Sequence, residues 1–171
     1  MKAIVKAVVL ALLAAGPEMV IGQTVADARN AAIGSSVTVS GIVTSGDELG
    51  SVRYVQDATG GISAFPGSGS QPGFSPMSGD GVTVTGTLTN YSGLLEITPI
   101  SSYTVNSSGN ALPAAQLITP AGMGESVEGE LVHMVAVQFS ASGNFTAGNT
   151  TITANGESTS IYLRTGHPLI G

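Results

Sequence analysis

The sequence contains no cysteine and no tryptophan, and charged and aromatic residues are scarce. Without cysteine the chain can form no disulfide and offers no thiolate to a metal ion, so its stability must come from buried apolar side chains. Charged residues make up 9% of the 171 residues and aromatic residues 5%. Glycine, serine and threonine are abundant instead, which favours an all-β protein with many turns and a hydroxyl-rich surface.

Positive charge is concentrated at the amino terminus. Lys2 and Lys6 precede the apolar run 7–15, which is too short to span a bilayer, and this pattern predicts a signal peptide over residues 1–22. A buried helix is the alternative, and Pro17 would interrupt it. We therefore expect a secreted or cell-surface protein, with no membrane span after the signal is removed.

Removal of the signal would leave three arginines, ten carboxylates and no lysine, a net charge of −7 with both histidines neutral. The arginines are Arg29, Arg53 and Arg164. Proteins that bind a nucleic-acid backbone through charge use Lys and Arg to displace condensed counterions. The composition therefore argues against a simple electrostatic DNA-binding protein, and any affinity for nucleic acid would have to come from stacking.

Two segments, residues 36–44 and 81–89, alternate apolar and hydroxyl-bearing residues in the manner of half-buried strands. Their predicted apolar faces are Val37, Val39, Gly41 and Val43 in the first and Val82, Val84, Gly86 and Leu88 in the second. The glycine inside each strand predicts a bulge or sharp bend, where a small barrel turns a corner.

Shorter elements surround these two strands. They are strands at 51–57, 62–65 and 94–98, a long crossover loop at 66–80, and a helix at 25–32 that Thr24 caps and that would form a lid. The pattern predicts an all-β fold, with an OB-fold-like, five-stranded, partly closed antiparallel barrel over residues 23–110.

Residues 111–171 are predicted to begin a second, truncated OB-fold-like unit. Its strands are expected at 131–139, 150–154 and 158–164. Either the sequence is part of a longer chain, or a partner supplies the missing edge. We expect an unpaired edge of this unit to be a surface for self-association.

Three segments resemble a known family. Residues 36–44 (SVTVSGIVT), 52–62 (VRYVQDATGGI) and 79–89 (GDGVTVTGTLT) are similar to the secreted bacterial OB-fold domains found beside extracellular nucleases and in surface proteins of Bacteroidetes-like organisms. The resemblance covers roughly residues 24–110. It implies an OB fold that accompanies catalytic or anchoring domains. It implies no catalytic residue here, because the nuclease residues of that family lie in separate domains.

No catalytic group, metal site or cofactor is expected in this chain. His133 and His167 lie far apart in sequence, so neither a nucleophile with its base nor a metal-ligand spacing is present. We expect His133 to be partly buried within a strand and His167 to lie in a loop. The segment is therefore predicted not to be an enzyme.

Some carboxylates could bind Ca²⁺ if their loops converged, namely Asp47 with Glu48, or Asp57 with Asp80. Solvated turn carboxylates are the simpler interpretation, because Asp often stabilises turns through its own backbone. Another group is interpreted as the first turn of a short helix: Glu125, Glu128 and Glu130.

An OB barrel generally binds its ligand on the face of its second and third strands, with aromatic side chains that stack on bases or sugars. The candidate ligand-binding residues are Arg53, Phe65, Tyr91 and Tyr103. Alternation places Arg53 and Tyr54 on opposite faces, and we predict that Arg53 faces the ligand while Tyr54 faces the core.

The sequence thus predicts a non-catalytic accessory binding module of an exported bacterial protein. Its expected ligand is single-stranded nucleic acid or another extended polymer, such as a polysaccharide. The alternative is a structural spacer, adhesin segment or filament-forming surface module that binds no small ligand.

Overall fold

The computed structural model describes residues 22–140 and 142–171, so the predicted signal peptide lies outside the described residues except for Gly22. Five strands form a closed barrel: β1 (Ser36–Val43), β2 (Arg53–Asp57), β3 (Gly60–Ala64), β4 (Gly81–Tyr91) and β5 (Leu94–Ser107). Their order around the barrel is β1-β2-β3-β5-β4, and β4 pairs with β1. All neighbours are antiparallel except β3 and β5. The prediction of an all-β chain with a five-stranded, OB-fold-like barrel is confirmed, but the barrel is fully closed rather than partly closed, and one of its strand pairs is parallel.

The two alternating segments form the wall that closes the barrel. β1 and β4 pair from Ser36 with Thr87 to Ile42 with Gly81, and their valines point into a core from which water is excluded. On the outside, hydroxyl groups of the two strands contact each other in pairs, such as Thr38 with Thr85 at 2.9 Å. The predicted division into an apolar and a hydroxyl-bearing face is confirmed.

Gly41 and Gly86 lie where the backbone of a neighbouring strand leaves no room for a side chain. A Cβ atom at Gly41 would be 2.6 Å from the carbonyl oxygen of Gln56, and one at Gly86 would be 2.5 Å from that of Pro99. The register between β4 and β5 also shifts on both sides of Gly86. Only glycine fits at these contacts, which confirms the predicted irregularity at Gly86 and explains Gly41 by close packing.

A short helix, α1 (Val25–Arg29), packs into the barrel core through Val25 and Ala28. Thr24 caps it, because its Oγ1 accepts a hydrogen bond from the Asp27 N–H. The helix is shorter than the predicted 25–32, since the Asn30 side chain donates back to the carbonyl oxygen of Ala26 and ends it. The Asp57 carboxylate then fixes α1 to the β2–β3 turn by accepting from the Val25 N–H at 2.9 Å.

The crossover between β3 and β4 is a loop without helix, as predicted. It inserts Phe74, which is 7% exposed, into the hydrophobic core. The Phe74 ring meets Tyr103 of β5 edge to face, with ring centroids 5.1 Å apart, and the Tyr103 hydroxyl donates to the Gly73 carbonyl. The loop therefore seals the core as well as connecting two strands.

Strand β5 extends far beyond the predicted 94–98. Pro99 interrupts the sequence pattern, and most side chains after Ile100 are exposed, so no apolar alternation marks this part. The strand nevertheless continues because its backbone pairs with β4 as far as Ser107. Tertiary pairing, which local patterns do not report, determines its length.

The C-terminal region forms two small sheets. They contain β6 (Gln116–Leu117) paired with β7 (Val132–His133), and β8 (Gln138–Phe139), β9 (Gly148–Ala154) and β10 (Glu157–Leu163) in the order β10-β9-β8. The prediction of one strand over 131–139 is wrong, because the chain turns at Ala136, where φ is 54°. The strands predicted at 150–154 and 158–164 correspond to β9 and β10. A second, truncated barrel copy stays a prediction, as do the domain boundaries.

Within the described ranges, no helix has the length and hydropathy needed to cross a bilayer.

Replacement of Phe74 tests whether the crossover loop seals the core. We expect Phe74→Ala to lower the free energy of unfolding by about 3–5 kcal/mol, because it leaves a cavity and removes the contact with Tyr103. Met77→Ala is the matched control in the same loop, since Met77 is 50% exposed and should contribute less than about 0.5 kcal/mol. Chemical denaturation measures both, and equal losses would contradict the sealing role.

Candidate ligand-binding face of the barrel

The outer surface of β2, β3 and β5 carries a row of polar side chains. Tyr54 lies opposite Ser63, and Ser63 lies opposite Glu96. The residues that alternate with them, Val55, Ile62, Ala64 and Ile97, are fully buried in the core. Successive strand residues point to opposite faces, so Tyr54, Ser63 and Glu96 point outwards, and Phe65 shares their face.

Arg53 is buried rather than presented to a ligand. Its side chain is 4% exposed, with Nε donating to the Pro76 carbonyl at 2.6 Å and Nη1 donating to the carbonyls of Gly50 and Val52. The prediction that Arg53 faces outwards and Tyr54 faces the core is therefore wrong. The two do lie on opposite faces, but Arg53 points inwards on the same side of β2 as Val55. Carbonyl groups of the adjacent loops accept the hydrogen bonds of its guanidinium.

The predicted aromatic residues lie in three different environments. Tyr91 is 68% exposed at the end of β4, next to the turn in which the Gly93 N–H donates to Asn90. Phe65 is half-buried beyond the end of β3. Tyr103 is committed to its contact with Phe74 in the crossover loop. The structure thus leaves Phe65 and Tyr91 as surface candidates and gives Tyr103 a structural role; their part in ligand binding stays a prediction.

A segment of the C-terminal region lies against this face of the barrel. We call residues 123–131 the strap. The Leu131 N–H donates to Gln56 Oε1 at 2.9 Å, and a Cβ atom at Gly61 would lie 2.1 Å from the Gly129 carbonyl oxygen. The strap backbone therefore touches the barrel backbone at the start of β3.

One ion pair fastens the strap. Arg29 Nη2 lies 2.9 Å from Glu128 Oε2, and Arg29 Nη1 donates to the Gly61 carbonyl at 3.1 Å. The Leu95 N–H approaches the same Glu128 oxygen at 3.4 Å. The Arg29 and Glu128 side chains are 16% and 15% exposed, whereas that of Glu125, 3.7 Å from Arg29, is 77% exposed. The Glu128 carboxylate is thus held by donors that all belong to the barrel unit.

Between barrel and strap lies a cleft of about 620 Å³. Its lining includes Tyr54, the β1–β2 loop, the strap and His167. The carboxylates of the cleft are Glu48, Glu125, Glu128 and Glu130. Such a surface repels a polyanion as long as the strap is in place.

The pKa values of Tyr54 and Glu96, on the outer face, are shifted by burial and by nearby charge. Burial raises the pKa of Tyr54, and the charges of Glu128 and Glu96 raise it further because they disfavour the phenolate. Burial also raises the pKa of Glu96. Ser63 Oγ is fully buried and has no hydrogen-bond partner.

Other carboxylates stabilise local structure. Asp57 accepts hydrogen bonds from the N–H groups of Thr59 and Gly60, and Asp80 accepts one from that of Met77. Both therefore stabilise turns, as the simpler interpretation of these carboxylates predicts. Among residues 22–140 and 142–171, no three His, Asp or Glu side chains are placed to hold a metal ion.

Two further expectations about polar residues need correction. His133 is exposed rather than partly buried, with Nδ1 3.3 Å from the Ala115 carbonyl oxygen, because β7 ends at this residue. The three glutamates do not share a helical turn: Glu125 lies in the 3-10 turn Glu125–Val127, and Glu128 and Glu130 follow it. Sequence reasoning missed the pair between Arg29 and Glu128, since no local pattern links α1 to the strap.

No protein-family model matches the chain. The chain is 36% identical over 126 residues to Endonuclease YhcR of Bacillus subtilis (strain 168), a match that covers 66% of this chain and 10% of that protein. The chain therefore spans about a tenth of that relative's length. The solved structure of the hypothetical protein ygiW from E. coli is similar with a TM-score of 0.39 and 20% identity, over 48% of this chain and 87% of that one. The first match relates this chain to one part of an endonuclease, in line with the resemblance of its strands to domains beside nucleases.

The pKa of Tyr54 tests the electrostatics of the cleft. We expect Glu128→Gln and Glu96→Gln each to lower this pKa towards its ordinary value, because each removes a charge that disfavours the phenolate. Spectrophotometric titration measures it, with a Tyr54→Phe chain subtracted to isolate the Tyr54 signal. Glu130→Gln removes the same charge from the strap and should leave the pKa nearly unchanged; an equal decrease there would contradict the assignment.

Proposed function

We propose that this chain is an exported, non-catalytic accessory module that binds single-stranded nucleic acid on the outer face of β2 and β3, in support of a nuclease. The observation that carries the proposal is the similarity over 126 residues to part of an endonuclease, in a chain that folds as a five-stranded barrel. Barrels of this kind commonly bind oligonucleotides on that face.

Stacking is the interaction that this surface can supply. Tyr54 lies on the outer face and lines the cleft, Phe65 follows β3 on the same face, and Tyr91 is exposed at the β4–β5 turn. Stacking of a base on an aromatic ring contributes about 1–3 kcal/mol and tolerates any base. The surface therefore suits a single strand better than a duplex, whose bases are already stacked.

Backbone charge contributes little in this state of the protein. The three arginines of the described residues all make intramolecular contacts: Arg29 with Glu128, Arg53 with loop carbonyls, and Arg164 with the Leu49 carbonyl. Few guanidinium groups are available to release counterions from phosphates.

A structural role is the second candidate, and the sheet β10-β9-β8 favours it. Strand β10 is an edge strand within the described residues, and Tyr162 on it is exposed. Edge strands of this kind can pair with a second chain. Light scattering on the purified chain tests this role, because a monomer at every concentration would contradict self-association.

Titration of a labelled single-stranded oligonucleotide tests the proposed function. We expect saturable binding that Tyr54→Ala weakens about tenfold, since one stacking contact is lost. The logarithm of the association constant should fall with the logarithm of salt concentration with a slope no steeper than about −0.7, the value for one phosphate of a single strand.

Tyr162→Ala is the matched control, because it removes an exposed tyrosine from the C-terminal sheet and should leave affinity unchanged. A neutral oligosaccharide is titrated in parallel. Absence of saturable oligonucleotide binding, or saturable binding of the oligosaccharide alone, would contradict the proposed function.

A further inference from the structure

The donors that hold Glu128 belong to the barrel unit, and the carboxylate belongs to the strap. Arg29 lies at the end of α1, and its guanidinium is oriented by a second hydrogen bond to the Gly61 carbonyl at 3.1 Å. The Leu95 N–H lies at the start of β5, next to the β4–β5 turn. Two donors from separate elements thus converge on one carboxylate oxygen, at 2.9 and 3.4 Å.

This arrangement has the chemistry of an anion site. A guanidinium presents a planar fork of donors that matches carboxylate and phosphate oxygens alike, and a backbone N–H adds a fixed dipole. The Arg29 side chain is 16% exposed, so water has little access to the pair. The same donors can therefore bind a phosphate oxygen at the position that Glu128 Oε2 occupies.

The site is also in the right place for a nucleic-acid backbone. Tyr54 and Glu128 line the same cleft, and Glu128 is paired with Arg29, so a nucleotide stacked on Tyr54 would share this cleft with the carboxylate that Arg29 holds. The strap that fills this region brings three carboxylates with it, Glu125, Glu128 and Glu130. The carboxylates of the strap therefore disfavour a phosphate backbone on this face while the strap is in place, because like charges repel.

We propose that Arg29 and the Leu95 N–H form a phosphate-binding site of the barrel that Glu128 occupies as an internal mimic, and that a bound single strand displaces the strap. This inference rests on the proposed function. The apparent association constant for nucleic acid is then the intrinsic one multiplied by the fraction of molecules in which the strap is open. Removal of the Glu128 charge raises that affinity.

Inorganic phosphate probes the anion site without nucleic acid. In Glu128→Gln, added phosphate should shift the NMR resonances of the Leu95 amide and the Arg29 Nε–H saturably, because a neutral amide competes less strongly than a carboxylate for these donors. Glu130→Gln is the matched control, since it removes one charge from the same strap but leaves Glu128 on Arg29. No saturable shift in Glu128→Gln, or equal shifts in the two variants, would overturn the inference, whatever the outcome with oligonucleotides.

Oligonucleotide titration then connects the site to the proposed function. We expect Glu128→Gln to bind the single strand about tenfold more tightly than the wild type, Glu130→Gln to change affinity less than about threefold, and Arg29→Gln combined with Glu128→Gln to cancel the gain. A gain that persists without Arg29 overturns the inference. Phosphate shifts confined to Glu128→Gln, with no oligonucleotide binding by any variant, support the anion site and contradict the proposed function.

Glu128→Gln is nearly isosteric, so the barrel should remain folded, and circular dichroism checks that it does. Glu128→Asp provides a second opening of the site, because it keeps the charge and shortens the side chain. We expect the same phosphate response there, weaker than in Glu128→Gln. Its absence in both folded variants counts against the inference.

Discussion

The pairing of β1 with β4 closes the cylinder, and the other features of the fold depend on it. When these two strands pair, their valines point into the core, and no edge of the five-stranded sheet remains open. Glycine is needed at Gly41 and Gly86, where β2 approaches β1 and β5 approaches β4 too closely for a side chain. Helix α1 and Phe74 then complete the core that the closed wall surrounds. Without disulfides, this buried core is the main source of stability.

Alternation predicted the fold well wherever one face of a strand is apolar. Residues 36–44 and 81–89 formed the expected strands with the expected inner faces, because burial selects one phase of a period of two. The same reasoning failed at Arg53 and Tyr54, where the apolar residues that mark the phase are few. The charged Arg53 side chain points inwards because carbonyl groups of two loops accept its hydrogen bonds. Local pattern carries no information about such distant acceptors.

The candidate site was predictable only in outline. The face of β2 and β3 and the exposure of Tyr91 followed from strand order and turn position. The strap did not, because residues 123–131 have no regular periodicity and their contacts reach back to α1 and β3. The three glutamates could only be interpreted locally, as a helix start. The contact that Glu128 makes depends on Arg29, which lies in another part of the sequence.

The contact between Gly61 and Gly129 sets the distance between the barrel and the strap by backbone packing alone. The two backbones touch with hydrogen atoms alone between them, so a methyl group at either position acts as a wedge. Such a wedge would force the two layers apart without altering any ionisable group. Distance and charge at the cleft can therefore be varied independently.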